Sequence, residues 1–115
     1  MRDVHEAAEQ GNERAALAID VFAHRAKKYV GAFLAELGTC DGVVFTGGIG
    51  ENATFMRAKI LDGLAPLGIE LDPGRNDHRD QEPFVVSTAG SRTAVWVIPT
   101  NEELMIARDT AALIG

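Results

Sequence analysis

The stretch from Gly42 to Asn52 constrains the fold more than any other part of the sequence. Gly42-Val43-Val44-Phe45-Thr46 is a short β-branched and aromatic run that enters three glycines in four positions, Gly47, Gly48 and Gly50. Such a run reads as a buried strand. Glycines placed directly after it let the backbone take positive φ and approach a ligand closely. The stretch over about 53–64 then carries Phe55, Met56, Ile60, Leu61 and Leu64 at helical spacing. A strand, a glycine turn and a helix in this order point to a layered α/β architecture.

The flanking segments complete the pattern. Residues 3–10 read as a short helix stopped at Gly11, and Asn12 suits the N-cap of a second helix running to about Leu37, where Gly38 ends it. Ile19, Phe22, Ala26, Tyr29 or Val30, Phe33 and Leu37 advance by three or four, which predicts one apolar face. At 1.5 Å per residue this helix is about 38 Å long, more than a domain of this size ordinarily needs. Ile69-Glu70-Leu71-Asp72 alternates as a short strand, and 73–83 reads as a polar surface loop. Phe84–Thr88 and Thr93–Ile98 flank Ala89-Gly90-Ser91-Arg92, predicting a hairpin, and a last helix covers about 101–113. The expected order is α, α, β, α, β, β, β, α, with residues 1–115 as a single domain.

Composition narrows the function. With 115 residues the chain fits one domain at most, and its 46% apolar content argues against wholesale disorder. A formal charge of −6 makes nucleic acids and anionic membranes poor partners, because their binding draws on basic residues. Cys40 is the only cysteine, which excludes an internal disulfide and a cysteine zinc cluster. No apolar run approaches the ~20 residues of a membrane span, and no signal region follows Arg2. These features lead us to expect a soluble, reducing, cytoplasmic setting.

Two nucleotide motifs can be tested against the glycine turn, where helix N-terminal N–H groups suit an anionic or polar ligand. A Walker P-loop requires Gly-Lys followed by Ser or Thr, and no Gly-Lys pair occurs in the chain. Gly48-Ile49-Gly50-Glu51-Asn52-Ala53 fits the G-x-G-x-x-A form of a dinucleotide fingerprint, with Glu70 or Asp72 about 20 residues on. Glu51, however, brings a negative charge where a pyrophosphate would sit, and one crossover helix is too little for a doubly wound sheet. Further on, Thr100 and Glu103 have the T-x-x-E spacing of a capping box. That reading folds Glu103 onto the backbone and leaves Glu102 free. His5, His24 and His78 lack metal-ligand spacing, and Asp77, His78, Asp80 and Glu82 read as a solvated loop. Trp96 reads as core or sheet surface, and no Ser/His/Asp triad is visible.

Val43-Val44-Phe45-Thr46-Gly47-Gly48-Ile49-Gly50-Glu51-Asn52, together with Val97-Ile98-Pro99-Thr100-Asn101-Glu102-Glu103-Leu104, resembles the C-terminal part of the acetate kinase family. Ala18–Arg25 is similar to the same family, and Arg2-Asp3-Val4 resembles the end of its Ser-Ser-Asp-x-Arg segment, of which Met1 and Arg2 remain. Propionate kinases share these motifs. The resemblance covers essentially the whole chain.

The resemblance implies an acetate and sugar kinase/actin-like ATPase fold of two ribonuclease H-like domains, with this chain an incomplete C-terminal one. It implies that Gly48, Ile49, Gly50, Glu51 and Asn52 lie near the adenosine of ATP, with Met1 and Arg2 also at the nucleotide. It implies Glu102 as a ligand of Mg2+, and acetate or propionate as the phosphoryl acceptor in a homodimeric enzyme. Family members are several times longer. The acyl-binding arginine, the catalytic Asp, the transition-state His and Arg and another magnesium ligand are expected outside this stretch, so the isolated chain is expected to be inactive. The expected function is the ATP-binding portion of an acetate kinase, with a non-catalytic nucleotide-binding or dimerisation module as the alternative and a nicotinamide-dependent dehydrogenase third.

Overall fold

The computed structural model describes all 115 residues. Helix α1 (Arg2–Glu9) and helix α2 (Glu13–Leu37) are separated by Gly11, whose φ of 90° only glycine adopts without strain. Asn12 caps α2 as its side chain predicts, with Oδ1 accepting from the Ala15 amide at 3.1 Å. Gly38 ends it at φ 70°, donating its amide to the Leu34 carbonyl.

The buried face of α2 overlaps the expected one only in part, sharing Ile19, Ala26 and Val30. Ile19 and Ala23 are buried, and Ala26, Val30 and Leu34 pack beside them, while Phe22, Tyr29, Phe33 and Leu37 remain exposed. Both sets keep the spacing of one helical face. Periodicity therefore cannot choose between them, and packing against α1 and helix α4 (Thr54–Leu61) does.

Strands β1 (Gly42–Phe45), β2 (Phe84–Val85) and β3 (Ala94–Val97) form one sheet in the order β1-β3-β2. β1 runs parallel to β3, pairing Val44 with Trp96, and β2 runs antiparallel, pairing Val85 with Trp96. Alternation sends Val43, Phe45, Val95 and Val97 toward the core and leaves Val44 and Trp96 on the opposite, exposed face. Met56, Ile60, Leu61, Leu64, Ile69 and Val86 complete the core.

The expected strand over 69–72 reduces to a single bridge between Leu71 and Ser87, because Asp72 turns the chain by capping helix α5 (Pro73–Asn76) inside the predicted loop. The hairpin is present, but regular pairing is short. The Ser87 hydroxyl oxygen, rather than a main-chain carbonyl, accepts from the Val95 amide.

Helix α6 (Glu102–Ile114) closes the chain without burying a single residue. It leaves Leu104, Met105, Ile106, Leu113 and Ile114 exposed. The radius of gyration, 16.5 Å, accordingly exceeds the roughly 13 Å of a compact chain of this length. No helix is long and apolar enough to cross a membrane.

Candidate functional site

The glycine-rich segment after β1 is a helix and not the expected loop: α3 spans Gly47–Asn52 and is kinked from α4 at Ala53. Three glycines weaken a helix in isolation, so tertiary contacts must hold this one. Gly47 begins it at φ 71°. Gly50 is buried so closely against β1 that a Cβ there would stand 3.1 Å from the Phe45 carbonyl carbon. Arg57, fully buried on α4, serves the other end: its Nη1 donates to the carbonyls of Gly50 at 2.7 Å and Glu51 at 3.0 Å. Its Nε and Nη2 donate to Oδ1 and the carbonyl of Asn76, both at 2.7 Å. Burial lowers the Arg57 pKa, as does the nearby Arg79. A guanidinium remains charged nonetheless, and here it neutralises the carbonyl end of α3.

The Glu51 side chain is tied into the fold. Its Oε1 accepts from the Gly47 amide at 2.9 Å, the Thr100 amide at 2.9 Å and the Thr100 hydroxyl at 3.0 Å. The bond from the Thr100 amide, foremost, holds the Glu51 carboxyl below its ordinary pKa. The carboxylate keeps its charge, since all three donors are neutral groups, but these bonds commit it to the junction with Thr100. Thr46 adds a second tie at the same junction, donating its hydroxyl to the Ile98 carbonyl at 2.8 Å.

The expected capping box is absent. Asn101 is the N-cap of α6, its Oδ1 accepting from the Leu104 amide at 3.0 Å, and Thr100 is committed to Glu51. Glu102 and Glu103 are the first two residues of α6, both exposed and neither ion-paired. Glu102 is still free, but because Asn101 supplies the cap.

A cleft of about 550 Å³ opens between α1 and the α3–α4 kink. Met1, Arg2, Gly48, Ile49 and Asn52 line it, so five of the residues singled out in the sequence meet there across some fifty positions. Gly50 and Glu51 belong to the same helix but do not line the cleft, and neither does Glu102. The cleft also includes His5, Ala53, Thr54, Phe55 and Arg79, which sequence reasoning did not select. The His5 and Phe55 rings stack at 3.7 Å with an interplanar angle of 6°. His5 carried a signal in its place, three residues after Arg2 on one helix; Phe55 and Arg79 carried none. The lining combines apolar and aromatic surface with a few polar groups, the composition of a small-molecule site. No group of three or more His, Cys, Asp or Glu side chains could hold a metal ion alone.

Comparison with known proteins agrees with the motifs. The sequence profile described as the Acetokinase family matches residues 1–108. The acetate kinase of Desulfotalea psychrophila is 53% identical over 115 residues, covering 100% of this chain and 28% of the relative. That of Nitratidesulfovibrio vulgaris is 57% identical over 110 residues, 96% of this chain and 27% of the relative. Among solved structures, the Porphyromonas gingivalis acetate kinase superposes with a TM-score of 0.85 at 41% identity, over 99% of this chain and 29% of that one. A propionate kinase from Francisella tularensis superposes with a TM-score of 0.80 at 42% identity, over 92% of this chain and 27% of that one. The chain thus spans somewhat over a quarter of the length of these relatives. The profile's span takes in the cleft, the Glu51–Thr100 tie and the start of α6, and the chain belongs to the acetokinase family.

Proposed function

We propose that this chain is the nucleotide-binding portion of an acetate kinase, transferring a phosphoryl group between ATP and acetate to give ADP and acetyl phosphate. The observation that carries the reading is the cleft that joins Met1 and Arg2 of α1 to Gly48, Ile49 and Asn52 of α3. Met1, Arg2, Gly48, Ile49 and Asn52 would contact the adenosine end of ATP, with Gly50 and Glu51 holding the turn in shape. Propionate is the other acceptor in view, since a propionate kinase is among the structural neighbours.

Magnesium is held in phosphoryl-transfer sites by one or two carboxylates together with phosphate oxygens and water. Glu102, an exposed carboxylate with no ion-pair partner in the first turn of α6, fits one such position. A bound magnesium ion would neutralise charge on the phosphates. Glu51 fixes α6 through Thr100 and so sets where Glu102 is presented. One carboxylate is not a metal site, and charge neutralisation at the transferred group needs partners beyond this chain, so we expect the chain alone to lack transferase activity. We place the enzyme in the cytoplasm as a homodimer. The exposed Tyr29, Phe33 and Leu37 on α2 offer an apolar face for association, which is also what favours a dimerisation module as the second reading.

The test is a chimera in which this chain replaces the matching segment of the Desulfotalea psychrophila acetate kinase. Acetyl phosphate formation is expected with ATP and not with NAD. A folded chimera that makes none would sink the proposal.

A further inference from the structure

The cleft differs in charge from the protein around it. The chain has a formal charge of −6, yet Arg2, His5 and Arg79 line the cleft and no carboxylate does. Arg79 is the least explained of the three. It sits in the loop after α5, outside both family motifs, and it takes part in none of the ion pairs of the fold.

Its neighbour Asp80 does not neutralise it. The Asp80 carboxylate turns back on its own loop, accepting from the Gln81 amide at 2.7 Å and the Glu82 amide at 3.2 Å, with the His78 ring at 3.4 Å. The sole hydrogen bond of the Arg79 side chain runs from Nη2 to the Asn52 carbonyl at 3.5 Å, at the outer limit for such a bond. That carbonyl end of α3 is already served by Arg57. Arg79 is therefore a planar cation with most of its donors uncommitted, at the mouth of a cleft whose other lining includes Ile49, Ala53 and Phe55.

We propose that Arg79 binds the nucleobase, laying its guanidinium plane over the purine held in the cleft. The inference rests on the nucleotide reading of the same cleft. The apolar and aromatic lining suits a flat ring better than a phosphate, and a guanidinium stacks on such rings where an ammonium acts only as a point charge. The stacked His5 and Phe55 rings contribute the aromatic part of the lining, and Arg79 supplies the cationic wall at the mouth.

Calorimetric titration of the full-length chimera with adenosine, ADP and ATP tests this. Arg79→Ala is expected to weaken adenosine and ADP alike, by roughly three- to thirtyfold, the range of a stacked cation. Arg79→Lys is expected to restore little of either. Because the Arg79 side chain is exposed, unchanged circular dichroism should accompany both variants. Equal affinities for the unsubstituted and Arg79→Ala proteins overturn the proposal. A loss confined to ADP and ATP, recovered by Arg79→Lys, overturns it too and assigns Arg79 to a phosphate. If the folded, unsubstituted chimera binds none of the three ligands, the nucleotide reading itself fails and this inference falls with it.

Discussion

Glu51 and Thr100, 49 positions apart in the chain, are joined by two hydrogen bonds to one carboxylate oxygen: the Thr100 amide donates at 2.9 Å and its hydroxyl at 3.0 Å. The same oxygen accepts from Gly47. One side chain thereby fastens the start of α3 to the segment that leads into α6. The two motifs that identify the family are thus mechanically connected, and the residue that connects them belongs to the first.

This connection predicts a pH dependence. The hydrogen bonds depress the Glu51 pKa in the folded state, foremost the bond from the Thr100 amide. The unfolded chain then takes up the proton more readily, so the stability Glu51 contributes is fully present above about pH 4.3 and is lost as pH falls through the lowered folded value. Denaturant titrations from about pH 6 down to pH 3 should show the wild-type chain losing stability faster than Glu51→Gln across that window. At neutral pH, Glu51→Ala should cost about 1–2 kcal/mol, the worth of charge-assisted bonds discounted for solvent screening. Parallel pH profiles for wild type and Glu51→Gln would count against the tie.

The cap of α6 gives a second prediction. Asn101→Ala should destabilise the helix by about 0.5–2 kcal/mol, whereas Glu103→Gln should leave it nearly unchanged. Helix content by circular dichroism, read against denaturant, distinguishes the two. A larger loss for Glu103→Gln would restore the capping box that Asn101 displaces.

Glu102 and Glu103 should part company in kinetics. In the full-length chimera, Glu102→Gln is expected to depress turnover and raise the magnesium requirement, since a neutral amide is a poorer ligand for a hard cation. Glu103→Gln should do neither. Matching magnesium titrations for the two variants would remove Glu102 from the metal site.

Arg57 should be the most sensitive position away from the cleft lining. Arg57→Met strands the carbonyls of Gly50 and Asn76 and the Asn76 side chain, all bonded to the guanidinium at 2.7 Å. Unsatisfied buried groups cost about 1–3 kcal/mol each, so a loss of more than about 3 kcal/mol is expected, a large share of the roughly 5–15 kcal/mol of an ordinary domain. Urea unfolding that shifts by less than about 1 kcal/mol would show that water replaces the guanidinium.

The exposed apolar surface predicts association. Leu113 and Ile114 are 88% and 82% exposed, and Phe33 and Leu37 on α2 exceed 60%. Exposed apolar area of this extent favours self-association or capture by a covering partner. Sizing by light scattering should show the chain as a dimer or larger species. A stable monomer at all accessible concentrations would contradict this.

Local chemistry made much of the fold legible. Asn12 and Gly38 bound α2 because a cap and a left-handed stop act within a few residues, and the β-branched run at 42–45 could only be a strand beside glycines. The family motifs were equally legible, because each is contiguous in sequence. Other features depended on what lies across the fold. Two apolar stripes on α2 have the same period, and only the positions of α1 and α4 choose the one through Ile19 and Ala23. Thr100 could have capped α6, but a carboxylate 49 residues away competes for it and wins with three donors on one oxygen, leaving the cap to Asn101. The glycine turn became a helix because Phe45 packs on Gly50 and Arg57 takes up its carbonyls. Arg79 entered the cleft for a similar reason, as the loop after α5 runs past the end of α3. Short-range chemistry sets the elements and the contiguous family motifs; which faces, caps and cations those elements use is a competition between groups far apart in the chain, and it is resolved only once the chain has folded.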